Sequence, residues 1–361
     1  MKRFNVTEAR AVVLAILFFA SVAAAEEKKG DEEYDIIQYG EDCARLIAEA
    51  PPFNCLDFAI IPITVDGKEP KEYTRHMKCD KPAYLPYPEQ TDGQCTPWSR
   101  VQVVRDDDIQ ILQYCRRMYI RPKDDPYFDS LEMIMHNVKT GSTCFFISKN
   151  FGTDPKGELG TRVPPPTEET PPEGFPSARE IWGSPQHIAN EGCIYCHDSD
   201  PWMHTPWIMQ TLELPADPWG FHSVDVGGPF EKWPKPMSIS TRGNPCTGCH
   251  RIGNLNTCLP QDIPTFGMQP PKMLQSIGMA AHGRFGAKSL DDLNEVTSSW
   301  GEIPHGWMGE RLPDVDSEQW QSYHASIEAL QECCKDPTGP GCLVEPIESK
   351  AAWLERQAQK D

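Results

Sequence analysis

Two five-residue stretches combine residue types that can do chemistry at a spacing that restricts which chemistry. They are Cys193-Ile194-Tyr195-Cys196-His197 and Cys246-Thr247-Gly248-Cys249-His250, both C-x-x-C-H. Two cysteines one helical turn apart can form thioethers to the two vinyl groups of one haem, while the adjoining histidine reaches the iron as proximal ligand. With 14 cysteines and 10 histidines in 361 residues, roughly 0.015 such motifs are expected by chance, so two are not coincidence. Three other chemistries use paired cysteines. Zinc ribbons usually space their pairs about 15–20 residues apart, whereas here residues 197–245 lie between them. A thioredoxin-like dithiol needs a βαβ context, which the glycine and proline density on both sides opposes. A disulfide between neighbouring cysteines leaves both adjoining histidines without a role.

On these residues the chain resembles c-type cytochromes, specifically a dihaem one, over about residues 177–345. The resemblance implies two covalently attached haem c groups. Cys193 and Cys196 would bind the first, with His197 proximal, and Cys246 and Cys249 the second, with His250 proximal. It implies an electron carrier with no catalytic residue of its own. The distal position decides the behaviour of each iron: histidine lowers the potential relative to methionine, and an empty position admits peroxide or small ligands. His204, His222 and Met308 are the distal candidates, with His305 a local rival of Met308 and His136 a further one if the N-terminal region packs over a haem. His187 and His324 read as helix-face residues, His76 and His282 as surface ones.

The elements that must position these residues divide the chain as follows. Residues 1–25 have the layout of a cleaved signal peptide: Lys2 and Arg3, an apolar run from Ala11, then Ala23-Ala24-Ala25 before Glu26. At 15 residues the apolar run is short of the roughly 20 that span a bilayer. Residues 26–160 read as a disulfide-braced, mainly β domain. It begins with a charged, flexible start and a short helix carrying Cys43, Leu46, Ile47 and Ala50. Strands follow at 58–65, 101–104, 109–119, 131–136 and 144–148, the last two joined by a hairpin turn at Lys139-Thr140-Gly141.

Residues 161–176, rich in proline, form a solvated linker. Residues 177–345 form a mainly helical, loop-rich dihaem cytochrome c domain. Ser184-Pro185 reads as an N-cap and first helical residue leading into the first motif. Trp202, Trp207, Trp219, Phe221, Phe230 and Trp233 are either a haem wall or a small-domain core. Helices are expected over 289–300, after a Ser317 cap with Trp320, His324, Ile327 and Leu330 on one face, and over 347–359, where Trp353 and Leu354 would pack back on the core. The fold class is thus α+β.

Ten cysteines lie outside the motifs, six before residue 150 and four after. In an oxidising compartment they read as up to five disulfides, each region closing its own, with Cys333 and Cys334 bonded to different partners. Export suits haem attachment and points to a periplasmic or extracellular protein with no transmembrane segment after cleavage. A net charge of −19 speaks against nucleic acid as a partner. An acidic face could steer a basic redox protein, although a solvated surface with no specific role is the commoner reading, and redox proteins are the partners the resemblance implies. Two rivals remain: a dihaem peroxidase with one haem lacking a strong distal ligand, and a docking subunit wired by its haems.

Overall fold

The computed structural model describes residues 34–81, 83, 94–106, 108–212, 214–244, 247, 251–258 and 318–360. Its first element is helix α1, Ile36–Leu46, started by the Asp35 carboxylate, which accepts from the amides of Ile37 and Gln38. Ile36, Tyr39, Gly40 and Cys43 are buried on one face. The helix thus starts well before the periodic residues suggested. Ile47 and Ala50 are buried but lie beyond its end, because burial, not helix, is what their spacing reported.

The chain then builds a five-stranded antiparallel sheet in the order β1-β2-β3-β5-β6. Its strands are β1 Ala59–Ile60, β2 Arg100–Asp106, β3 Ile109–Arg116, β5 Ser130–Asn137 and β6 Thr143–Ile147, with β4 Tyr127–Phe128 outside it, pairing β7 Glu158–Leu159. Gly141 takes φ +84° in the β5–β6 hairpin, a conformation that suits glycine. The expected strand over 58–65 shrinks to two residues, since Pro62 cannot donate to a ladder.

Register separates the two faces of this sheet. Ile111↔Met135, Gln113↔Met133, Cys115↔Leu131, Met135↔Cys144 and Met133↔Phe146 share one face. There Cys144 is bridged to Cys43 of α1, Cys115 to Cys55, and Tyr39 meets the Phe146 ring at 4.9 Å. The opposite face carries Gln110, Leu112, Tyr114, Glu132, Ile134, His136, Thr143 and Phe145. Half of these are polar. Trp202 and Trp207 pack on that face, the Trp202 indole donating to Gln110 and Trp207 standing edge-on to Tyr114 at 5.4 Å. These two tryptophans are core beneath the sheet, whereas Trp219 is exposed.

The open edge of β6 is covered by backbone from later in the chain. Gly183 donates to Ile147, Thr143 to Ser223 and Ser223 to Gly141. The described residues from Asp35 onward accordingly form one compact unit. In the proline-rich stretch, Val163 pairs with Phe53 and the Trp182 indole donates to Pro164, so its first half is packed while residues 169–170 and 172–175 are exposed.

Beyond residue 177 the described structure is short helices, loops and one small sheet. The helices are α2 Ala178–Ile181, α3 Pro185–Glu191, α4 Pro206–Met209, α5 Asn254–Cys258, α6 Glu318–Lys335 and α7 Lys350–Ala358. Strand β8 Met237–Thr241 pairs with β9 Cys342–Pro346, and Cys258–Cys334 and Cys333–Cys342 bind α5, α6 and β9 together. Helix α7 begins three residues later than expected, and Leu354 is 52% exposed instead of packing back. The helix expected over 289–300 and the Ser317 cap lie outside the described residues, as does the signal segment. No described helix is long and apolar enough to cross a membrane.

Candidate functional site

The first C-x-x-C-H motif is delivered by three local devices in succession. The Ser184 hydroxyl accepts from the His187 amide at 3.1 Å and Pro185 occupies the first helical turn, so α3 starts where the sequence predicts. Gly192 then stops it in the left-handed region at φ 65°, where a side chain is strained. A 3-10 turn over Cys193–Tyr195 follows, and the amides of Cys196 and His197 both donate to the Cys193 carbonyl, at 3.1 and 2.9 Å. Ile194, 2% exposed, pins the turn to the core, while Cys193, Cys196 and His197 are half-buried.

His197 is fixed at both ends. Its Nδ1 lies 2.8 Å from the Pro201 carbonyl. A carbonyl only accepts, so Nδ1 carries the proton and Nε2 holds the lone pair, the tautomer of a metal-binding imidazole with an outer-shell partner. Burial lowers its pKa to about 4, partly offset by that hydrogen bond, so the ring is neutral at pH 7. The ring packs 5.2 Å from Phe145, which meets Trp233 at 6.1 Å. Its backbone carbonyl accepts from His222 Nε2 at 2.6 Å. Thr143 bonds the other nitrogen of His222 at 2.9 Å and also meets His136 Nδ1 at 3.0 Å. The polar sheet face thereby grips the motif through a Thr143–His222 relay.

Both cysteines of this motif are thiols. Burial, then Cys196, Glu132 and Glu191, push the Cys193 thiol well above its ordinary pKa. A dithiol built for exchange needs the opposite shift, so the environment disfavours redox-dithiol chemistry. Among the described residues no three His, Cys, Asp or Glu side chains converge on a possible ion. The half-open thiols, the correct imidazole tautomer and the aromatic wall of Phe145 and Trp233 fit a haem. A nearby cavity of about 390 Å³, walled by Ile194, Val224, Trp233, Pro236 and Met237, is lined by neither cysteine nor His197.

Cys246, Cys249, His250, Met308, His305 and His282 lie outside the described residues, but the flanks of the second motif do not. Thr247 bonds Ser240 of β8 at 2.8 Å, Ile239 donates to Ile252, and Met237 donates to Asn254 Oδ1. Arg251 donates from Nε and Nη2 to the Ser199 carbonyl at 3.0 and 2.6 Å. The loop after the first motif therefore touches the residue after the second.

Of the distal candidates, His222 is fully buried with both nitrogens engaged, so it anchors His197 and presents no open nitrogen. Burial holds its pKa down to about 3. His204 is half-buried in the loop before α4. His136 does lie beneath the motif loop, edge-on to Trp202 at 6.2 Å, with burial holding its pKa near 4. Arg251, Thr143 and Phe145 went unread in the sequence. Adjacency to a motif could have flagged Arg251; nothing local marks the other two.

Compared with protein-family models, curated proteins and solved structures, the chain matches none.

Proposed function

We propose that this chain is an exported dihaem c-type cytochrome that carries single electrons between redox proteins. One observation carries the reading: the C-x-x-C-H pattern occurs twice, and the ten cysteines outside the two copies pair entirely among themselves in five disulfides. Disulfides on this scale support an oxidising compartment. The sulfurs of Cys193 and Cys196, and of Cys246 and Cys249, would each carry one haem through thioethers, with His197 and His250 as proximal ligands. The bound haem supplies a reversible one-electron couple. The chain supplies the rest. Pro201 holds the His197 ring in its ligating tautomer, His222 holds its backbone, and Phe145 and Trp233 exclude water from one side.

Expression with a cytochrome c maturation system tests this. Two haems per chain should survive acid-acetone extraction, and Cys196→Ser should leave one. Haem released by the wild type, or zinc in its place, would end the reading.

A further inference from the structure

The dihaem reading leaves open whether the two sites communicate, and the described flanks of the motifs bear on it. Ser199 is two residues past His197, and Arg251 is the residue after His250. Two hydrogen bonds from one guanidinium to one carbonyl join them. Two residues further on, Gly253 lies so close to Asp198 that a Cβ there would stand 2.1 Å from the carboxylate carbon. Asp198 is 1% exposed, so it has no room to withdraw. Arg251 is itself half-buried, and Asp200, Asp217 and Asp198 offset the cost of desolvating its charge. Gly253 in turn bridges Ser238 of β8. The loop after one C-x-x-C-H and the segment after the other are thus packed directly against each other.

Resting on the dihaem reading, we propose that Arg251 is a positioning residue that clamps the two C-x-x-C-H segments together, so that their haems lie side by side and exchange electrons directly. One site is oxidised as the other is reduced, and no further reactant is consumed. A guanidinium suits the task because it makes two parallel bonds in fixed geometry, which a lysine does not.

The test reads geometry, not turnover. In the purified, oxidised full-length protein, adjacent haems give a two-signed Soret circular-dichroism couplet, absent from the summed spectra of the single-haem variants Cys196→Ser and Cys249→Ser. Arg251→Ala should keep two haems and lose at least half the couplet amplitude, with Arg251→Lys intermediate. Where Arg251→Ala does not retain both haems, Gly253→Ala, whose Cβ pushes on Asp198, takes its place and must also change the couplet. Fewer than two haems in the wild type would overturn the dihaem reading itself. Two haems with a spectrum equal to the single-haem sum, or a couplet indifferent to these variants, would overturn only the clamp.

Discussion

The two faces of the five-stranded sheet use the same strands for different ends. On one, Cys144 and Cys115 are tied by disulfides to α1 and to the turn at Cys55, amid Met133, Met135 and Phe146. On the other, Thr143 binds His136 and reaches the His197 carbonyl through His222, Gln110 accepts from Trp202 in the loop after the first C-x-x-C-H, and Glu132 acts on Cys193 through charge. The lesson concerns cysteine. On the first face two disulfides tie the sheet to its neighbours, whereas Cys193 and Cys196 remain thiols in a segment that the second face reaches without a covalent link.

The comparison breaks most visibly if bracing and cofactor loading are not separate. The Cys43–Cys144 bridge closes a loop of 101 residues, and its removal should cost about 4–5 kcal/mol on loop entropy. Cys333–Cys342, with a separation of 9, should cost only about 2.5 kcal/mol. Urea unfolding of C43A/C144A and C333A/C342A should show that order, and both variants should still carry two haems. A brace variant that loses a haem while folded would merge the two roles.

On the polar face, His222→Ala strands the His197 carbonyl and opens a cavity. A loss of about 1–3 kcal/mol follows for the unsatisfied group, with no new high-spin absorption band, because neither nitrogen of His222 is open to iron. Appearance of such a band would make His222 a distal ligand instead. His204→Ala and Met308→Ala remain the variants expected to open an iron.

Acid sharpens the contrast further. Burial holds the folded pKa of His136 near 4 and that of His222 near 3, against 6.5 when exposed. The folded state therefore binds fewer protons than the unfolded one in between. Stability from these two rings is complete above about pH 6.5 and is lost as pH falls through about 4 for His136 and about 3 for His222. Chemical denaturation at pH 7 and 5 should show the decline, and the H136F/H222F pair should flatten it. An unchanged slope in that variant would place the acid sensitivity elsewhere.

What the sequence made legible was local. The motifs, the Ser184-Pro185 helix start, the hairpin at Gly141 and the separation of disulfides into two regions all rest on neighbours within a few residues or on compartment chemistry. Cys333 and Cys334 do bond to different partners. The rest needed contacts across long separations. Strands 237–241 and 342–346 are short and lie far apart in sequence, and pair only because the chain returns to them. The Trp density that includes Trp202 and Trp207 reads first as a haem wall and second as a core, since an apolar ring serves either; the sheet face makes these two core. Thr143 carries no sign in sequence that it holds His222.

The division of cysteines into braces and attachment points is tested most directly by intact mass spectrometry of the mature protein with thiol alkylation. The account predicts a chain carrying two haems, no cysteine alkylated after unfolding without reductant, and ten alkylated after reduction, matching the ten cysteines outside the motifs. A haem-free mass with Cys193, Cys196, Cys246 and Cys249 all alkylated would contradict it.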